Sequence, residues 1–400
     1  MSESASMSAA PQRPLKVLLT GAAGFIGSAV ADLLNERGYE VVGLDAWIPQ
    51  AHADDAAAAD AADGGPRAGI RRIDVRDAER LREALTDVDV VCHQAAMVGA
   101  GLTPADLPLY ASHNDLGTAV LLAEMARAGV RKLVLASSMV VYGDGRYSCP
   151  THGVRRPAPR CLSDLDAGWF DVSCPECGVV LHWQLVDEDA PLLPRSSYAA
   201  SKVAQEHYSV AWARQAGSAV IALRYHNVYG PGMPPDTPYA GVAAIFRSAL
   251  ERGEAPRVFE DGGQMRDFVH VSDVAEANAL AVEQVMDRAA DSFSAYNVCS
   301  GHPVSILQVA RAVVRGLAAD SKGPEPGPDL GTPDSGTPDM EATESEGSAW
   351  EPVVTGDYRT GDVRHVVASP QRAAGELGFT AAVSPAEGLA AFARAPLRGR

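Results

Sequence analysis

Short apolar runs recur along the chain and alternate with amphipathic stretches. Lys16-Val-Leu-Leu-Thr20 reads as a buried strand, Ser28 to Arg37 as a helix, and Glu40-Val-Val-Gly-Leu44 as the next strand. This β-α-β spacing predicts an α/β fold with a parallel, doubly wound sheet. The alternation continues through Val88-Asp-Val-Val-Cys92 and Lys132-Leu-Val-Leu-Ala136, with a helical stretch near Thr118 to Ala128 between them. Val220-Ile-Ala-Leu-Arg224 reads as a later strand.

Three segments interrupt the pattern. Trp47 to Gly69 is rich in Ala, Asp and Gly and reads as a loop. Asp144 to Ala190 is long and irregular and holds four of the six cysteines. Ser321 to Ser348 is dominated by Gly, Pro, Asp and Glu, repeats Gly-Thr-Pro-Asp at 331 and 336, and reads as a disordered acidic loop.

Composition narrows the class. With 46% hydrophobic and 21% charged residues, the chain can bury a core. A net charge of −17 argues against nucleic acid, which requires clustered Lys and Arg, but a local pocket can still be positive. Residues 1–14 are polar and small, without the apolar centre of a signal peptide. No apolar run approaches the ~20 residues of a membrane helix. A soluble cytoplasmic protein with reduced or metal-bound cysteines is the expectation.

Thr20-Gly21-Ala-Ala-Gly24-Phe25-Ile26-Gly27 lies between the first strand and the first helix. Gly21 permits the tight turn, Gly24 lets backbone approach a pyrophosphate, and Gly27 allows close helix–strand packing. Asp45 follows 18 positions after Gly27, at the end of the second strand. A carboxylate there accepts hydrogen bonds from a ribose and repels a 2′-phosphate, so NAD is favoured over NADP.

Tyr198-Ala-Ala-Ser-Lys202 places two side chains on one helix face. An ammonium beside the phenol stabilises phenolate, so Lys202 should lower the Tyr198 pKa towards neutrality and make it a general base. Ser138, at the end of the strand that starts at Lys132, can hydrogen-bond the substrate oxygen whose proton Tyr198 removes.

On the Gly21-x-x-Gly24-x-x-Gly27 turn, Asp45, Ser138 and Tyr198-x-x-x-Lys202, the chain resembles the extended short-chain dehydrogenase/reductase family, within it the NAD-dependent nucleotide-sugar epimerases and dehydratases. Further segments carry the resemblance. Asp74, followed by Val75, resembles the adenine-binding acid, and His93-Gln94-Ala95-Ala96 the loop under the cofactor. Asn114 resembles the structural Asn. Arg224-Tyr225-His226-Asn227-Val-Tyr-Gly-Pro231, Arg266-Asp-Phe-Val-His-Val-Ser-Asp273 and Tyr358-Arg359-Thr-Gly-Asp362 resemble segments of those enzymes. The resemblance implies that Ser137, Asn114, Tyr225 and His226 join the cofactor site. It also implies that Asn227, Arg266, Arg359 and Asp362 join Ser138 on the substrate, the arginines holding a nucleotide diphosphate.

The resemblance further implies an NAD-binding domain over 15–228, with an insert at 145–190 and a return at 264–300. A substrate-binding domain would be built from 229–263 and 301–400, and the protein would be a homodimer. Dehydratases of the family carry Asp-Glu after the active-site hydroxyl residue; here Met139 and Val140 stand there and cannot transfer protons. Epimerisation at C4 through a 4-keto sugar is the expected reaction. The stretch Pro238 to Phe246, Phe259-Glu-Asp-Gly262 and the Cys-bearing insert are similar to the dTDP-L-rhamnose 4-epimerase-like proteins, with UDP-glucose 4-epimerase-like proteins close beside them. A one-way dehydrogenase or decarboxylase and a non-catalytic NAD-binding scaffold are the alternatives.

Cys149-Pro-Thr-His152-Gly153 and Cys174-Pro-Glu-Cys177-Gly178 form two matching knuckles with 21 residues between His152 and Cys174. This spacing predicts a closed Cys3His zinc site, structural because four protein ligands leave no open position. Cys161 and His182 are spare candidates, while Cys92 and Cys299 lie in strand-like runs and read as core.

Overall fold

The structure, a computed structural model, describes residues 13–48, 69–99, 101, 103–235, 241–318 and 350–398. Most of the 1–14 tail and of the 47–69 loop, the Pro238–Ala240 triplet and the acidic segment 321–348 lie outside those residues. The Arg13 guanidinium forks onto Asp89 at 2.7 and 2.8 Å.

The strands in chain order are β1 (Lys16–Thr20), β2 (Glu40–Asp45), β3 (Arg71–Arg72), β4 (Val90–His93), β5 (Lys132–Ser138), β6 (Arg146–Cys149), β7 (Gly153–Arg155), β8 (His182–Gln184) and β9 (Ala219–Tyr225). They are followed by β10 (Asn227–Tyr229), β11 (Arg257–Val258), β12 (Met265–Arg266), β13 (Phe268–His270) and β14 (Ser292–Val298). The main sheet is parallel, in the order β14-β9-β5-β4-β1-β2-β3. Its direction of winding reverses between β1 and β4. Ligands of such sheets bind outside the carboxyl ends of the strands at that reversal.

The main helices are α1 (Phe25–Glu36), α2 (Ala78–Ala84), α3 (Gly117–Ala128), α4 (Ser197–Ala216), α5 (Val242–Glu251), α6 (Val271–Asp287), α7 (Ile306–Ala318) and α8 (Pro385–Phe392). α1 and α6 cover one face of the sheet; α2, α3 and α4 cover the other. This double cover explains why β9 is buried at all seven positions. α5, α7 and α8 enclose a separate core with Phe246, Phe268, Val313 and Phe392. Among the described residues no helix is long and apolar enough to cross a membrane.

The insert is more ordered than its irregular composition suggests. β6 pairs antiparallel with β7 and β8, with Cys149 opposite Gly153. Tyr147 and Cys149 point inward on alternate positions and meet Val172, Cys174 and Leu181 in a small core. Here the sequence pattern is hidden because a strand of four residues offers only two inward side chains.

Candidate active site

At the carboxyl edge of the sheet lies a cavity of about 550 Å³. Its floor is the turn from β1 to α1. Gly21 has φ +70°, and a Cβ on it would lie 2.7 Å from the Ala95 amide nitrogen. A Cβ on Gly27 would lie 2.0 Å from the Gly21 carbonyl oxygen, so α1 reaches the turn only because that position lacks a side chain. α1 starts after Gly24 with no side-chain cap and no acidic residue in its first turn. No side chain therefore competes with an anion for its leading amides.

Gly21, Gly24, Phe25, Ile26, Gly27, Asp45, Asp74, Val75, Gln94, Ala95, Ala96, Ser137, Tyr198, Lys202 and Tyr225 all line this cavity. The Asp45 carboxylate accepts the Ala23 amide at 3.1 Å and the Trp47 amide at 2.9 Å, which fixes it beside the glycine turn. Asp74 is gripped by Arg76 at 2.6 and 3.0 Å, and that hydrogen-bonded pair holds its carboxyl below the usual range.

Two residues expected at the cofactor do not line the cavity. Asn114 is buried in a π-helical turn, Ala111–Leu116, that precedes α3. It accepts the Met97 amide at 2.7 Å and donates to the Met97 carbonyl and the Ser201 hydroxyl at 2.9 and 2.8 Å. It thus fastens the cavity wall to α4 from behind. His226 is also buried; its amide donates to the Val298 carbonyl, and burial pushes its ring down to about 3, helped by the charge of Arg266.

Ser138 comes from the end of β5, and Tyr198 and Lys202 come from the first turns of α4, which Ser196 caps through the Ala199 amide at 3.2 Å. The Ser138 hydroxyl acts on the Tyr198 phenol and favours its ionised form, although Ser138, unlike Ser137, does not itself line the cavity. Lys202 donates to the Ala136 carbonyl at 2.9 Å, with its ammonium 6.0 Å from the Tyr198 ring centroid. Lys202 does not bring the phenol to neutrality by itself. Burial pushes Tyr198 up to about 12, against the lowering hydrogen bond from Ser138. Burial also pushes Lys202 down to about 8, opposed by Glu206. Both shifts favour the neutral forms, as enclosure without a bound charge must.

A second cavity, of about 800 Å³, adjoins the first and shares Asn227 and Val242 with it. Asn227, Arg266, Arg359 and Asp362 all line it, together with Arg252 and Arg257. Arg266 is held by the carbonyls of Met265 and Arg364, each at 2.9 Å, and of Val363 at 2.6 Å. The Arg359 guanidinium lies 5.3 Å over the Phe259 ring. Asn227 donates to the Asp267 carbonyl at 2.8 Å and to the Met139 thioether at 3.6 Å. This acidic protein thus has a local cluster of guanidinium groups suited to phosphate oxygens.

In the insert, one ligand atom from each of Cys149, His152, Cys174 and Cys177 lies within 4.8 Å of the others. The Cys149 and Cys174 sulfurs approach the His152 Nδ1 to 3.6 and 3.5 Å, and Cys149 lies 3.7 Å from the Cys177 sulfur. All six cysteines are free thiols. Cys161 and His182 stand outside the cluster, and Cys92 and Cys299 are buried.

Sequence reading missed two groups. Glu206, a turn beyond Lys202, accepts the Ser137 hydroxyl at 2.5 Å and pairs with Arg224 at 2.8 and 3.0 Å in a buried ion pair. An acid eight positions after Tyr198 on the same helix is the only local signal for it. Arg398 lines the first cavity and donates to the Ala23 carbonyl of the glycine turn. No local signal exists, because 375 positions separate the two residues.

Residues 17–159 and 172–299 match the NAD dependent epimerase/dehydratase family. The chain is 31% identical over 369 residues to dTDP-L-rhamnose 4-epimerase of Burkholderia thailandensis, covering 91% of this chain and 90% of that protein. It is similar to the crystal structure of UDP-glucose 4-epimerase from Thermotoga maritima with UDP-glucose, at a TM-score of 0.66 and 27% identity over 95% of this chain and 97% of that one. It is also similar to the Thermus thermophilus UDP-glucose 4-epimerase in complex with NAD, at 0.65 and 29% over 95% and 98%. A glycine turn shaped for a pyrophosphate, a Tyr–Lys–Ser cluster at the sheet edge and this likeness along almost the whole chain place the protein in the NAD dependent epimerase/dehydratase family.

Proposed function

We propose that the protein is an NAD-dependent nucleotide-sugar 4-epimerase acting on a dTDP-6-deoxyhexose or a UDP-hexose. The observation that carries this reading is Tyr198 beside Lys202 in the first cavity, with Ser138 at the end of β5 favouring the phenolate and a guanidinium-lined cavity joined to it at Asn227. The glycine turn fits the cofactor, since side chains at Gly21 or Gly27 would collide with the Ala95 backbone or the Gly21 carbonyl and break the turn that presents the leading amides of α1 to a pyrophosphate. Bound NAD supplies the hydride acceptor and donor for the sugar carbon.

The chain's own residues do the rest. Tyr198, as phenolate, takes the C4 hydroxyl proton and returns it when the ketone is reduced on its other face. Ser138 hydrogen-bonds the same oxygen. Lys202 opposes the burial that keeps the phenol protonated. Arg266 and Arg359 anchor the diphosphate while the sugar half turns. Met139 and Val140 have no proton to exchange, so elimination of a C6 hydroxyl lacks its acid and base.

The cysteine cluster supports one structural zinc per chain. A tetrahedral ion with Zn–S bonds of about 2.3 Å sets its ligand atoms ~3.8 Å apart, close to the separations between these sulfurs and the ring nitrogen. Burial raises the Cys149 and Cys174 thiols, but neighbouring backbone amides outweigh it and hold both below the ordinary thiol value, while Cys177 is raised beside the other two sulfurs. Three reduced thiols fit a cytoplasmic setting. Leu107, Leu116 and Tyr208 are 50%, 52% and 46% exposed on neighbouring helical segments, which supports a homodimer through that face.

The test is NMR analysis of purified protein incubated with dTDP-L-rhamnose, UDP-glucose and related nucleotide sugars, without added cofactor. The expected result is a C4 epimer with no net NADH. Stoichiometric NADH would indicate a dehydrogenase, loss of water a dehydratase, and bound NAD without turnover a scaffold; any of these defeats the reading.

A further inference from the structure

The insert does more than hold the Cys149, His152, Cys174 and Cys177 cluster. It grips two of the pieces of chain that line the second cavity, Glu260 and the segment 358–365. Arg160 donates to Glu260 at 2.7 Å and to the Asp362 carbonyl at 2.5 Å. Arg364 donates to Asp171 of the insert at 2.8 Å and to the other oxygen of Glu260 at 2.9 Å. Tyr358 donates to Asp166 at 2.6 Å, and the His365 amide donates to the Tyr147 hydroxyl at 3.0 Å. Apart from the Arg364–Glu260 pair, each of these bonds joins 145–190 to Glu260 or to 358–365.

Those contacts bear directly on the cavity lining. Glu260, Arg359, Asp362 and Arg266 all line the cavity. The carbonyls of Val363 and Arg364 hold the Arg266 guanidinium. Glu260 has φ +54°, a left-handed conformation that a residue with a Cβ adopts only when its surroundings impose it. Its carboxylate is 3% exposed, and its two oxygens are divided between Arg160 and Arg364. Arg160 is itself only 10% exposed. A buried carboxylate shared by two guanidinium groups is stable only while both remain, so the insert and the cavity wall are one electrostatic unit. Residues 160–171, which contain Arg160, Asp166 and Asp171, fall in the gap between the two stretches that match the family.

We infer that the insert is a clamp on the substrate cavity, with Arg160 as its positioning residue. By holding Glu260 and the chain from Tyr358 to Arg364, it keeps Arg266 and Arg359 arranged for a nucleotide diphosphate. This rests on the reading that the second cavity takes that diphosphate. The cofactor cavity meets this one at Asn227 and Val242 but is lined by none of the clamped residues, so it does not depend on the clamp.

The experiment uses the full chain with its bound metal and cofactor. Arg160→Met keeps the apolar stem and removes the fork; Asp171→Asn, at a half-exposed position, is the milder variant if the first fails to fold. Hydrogen exchange over 358–364 reads the clamp, and calorimetry with UDP and with dTDP reads the cavity. Exchange in that segment should accelerate about tenfold or more, because its tethers set its local opening. Nucleotide Kd and KM should rise by about tenfold, kcat should change little, and NAD and zinc contents should stay as they are. Arg160→Lys, which keeps the charge, should recover part of the loss. Unchanged exchange over 358–364 together with unchanged nucleotide affinity overturns the clamp, as does a fall in kcat at constant KM. Faster exchange in a protein that binds neither nucleotide before substitution would leave the clamp standing and remove the assignment of the cavity.

Discussion

Lys202 holds its ammonium 6.0 Å from the centre of the Tyr198 ring while donating to the Ala136 carbonyl at 2.9 Å. The charge therefore lies alongside the phenol rather than on its oxygen, and burial keeps Tyr198 as high as about 12 in the protein alone. On the proposed mechanism Tyr198 acts as the phenolate, so kcat/KM should rise with pH along the acid limb. Removing the ammonium in Lys202→Met should move that limb to higher pH by about one unit or more. Tyr198→Phe should lower turnover about a thousandfold while NAD stays bound. A pH–rate series on the two variants checks both; an unmoved limb in Lys202→Met would separate the lysine from the phenol's ionisation.

Asp45 accepts two backbone amides and lines the cofactor cavity. Asp45→Asn keeps the shape and removes the charge. The preference for NAD over NADP should then narrow about tenfold, which is ~1.4 kcal/mol. Affinities for the two cofactors, measured by fluorescence quenching, decide this. A native preference for NADP would show that the carboxylate does not face the ribose.

Arg398 and Lys202 are the two formal cations among the described residues that line the cofactor cavity, and Arg398 is the one attached to the glycine turn. Arg398→Ala should weaken NAD binding about tenfold, with the loss smaller for adenosine, which has no phosphate. Titrations at two salt concentrations provide the control: the native protein should lose more affinity in salt than the variant. Equal affinities for NAD would reject the contact.

Protein purified without chelator should contain one zinc per chain by elemental analysis. Cys174→Ser should lose it, because a site of four protein ligands cannot keep a closed tetrahedron with three. The small core around Tyr147, Val172 and Leu181 should loosen, while the sheet stays folded and NAD-bound. A zinc content near zero, with four reactive groups in the insert, would leave a plain cysteine-bearing loop.

Asn114 and the pKa of Tyr198 mark where local reasoning stopped. Asn114 has the residue type of a ligand contact but spends its amide on Met97 and Ser201, a choice made by what packs around it. Lys202 is in register with Tyr198 on one helix face, but register says nothing of the enclosure that outweighs the charge.

The sequence by itself determined the strand–helix alternation, the glycine turn, the Tyr198–Lys202 pair and the two cysteine knuckles. Each is a short-range pattern: its residues stand within a few positions of one another, and the period of a strand, a helix or a tight turn dictates where they point. Only the tertiary structure decided that Arg398 reaches Ala23, that Arg160 and Arg364 share Glu260, and that Asn114 lies behind the cavity. Ion pairs and buried amides between distant parts of a chain have no period to betray them. They exist because folding removes both partners from water in the same place, where each polar group must find another.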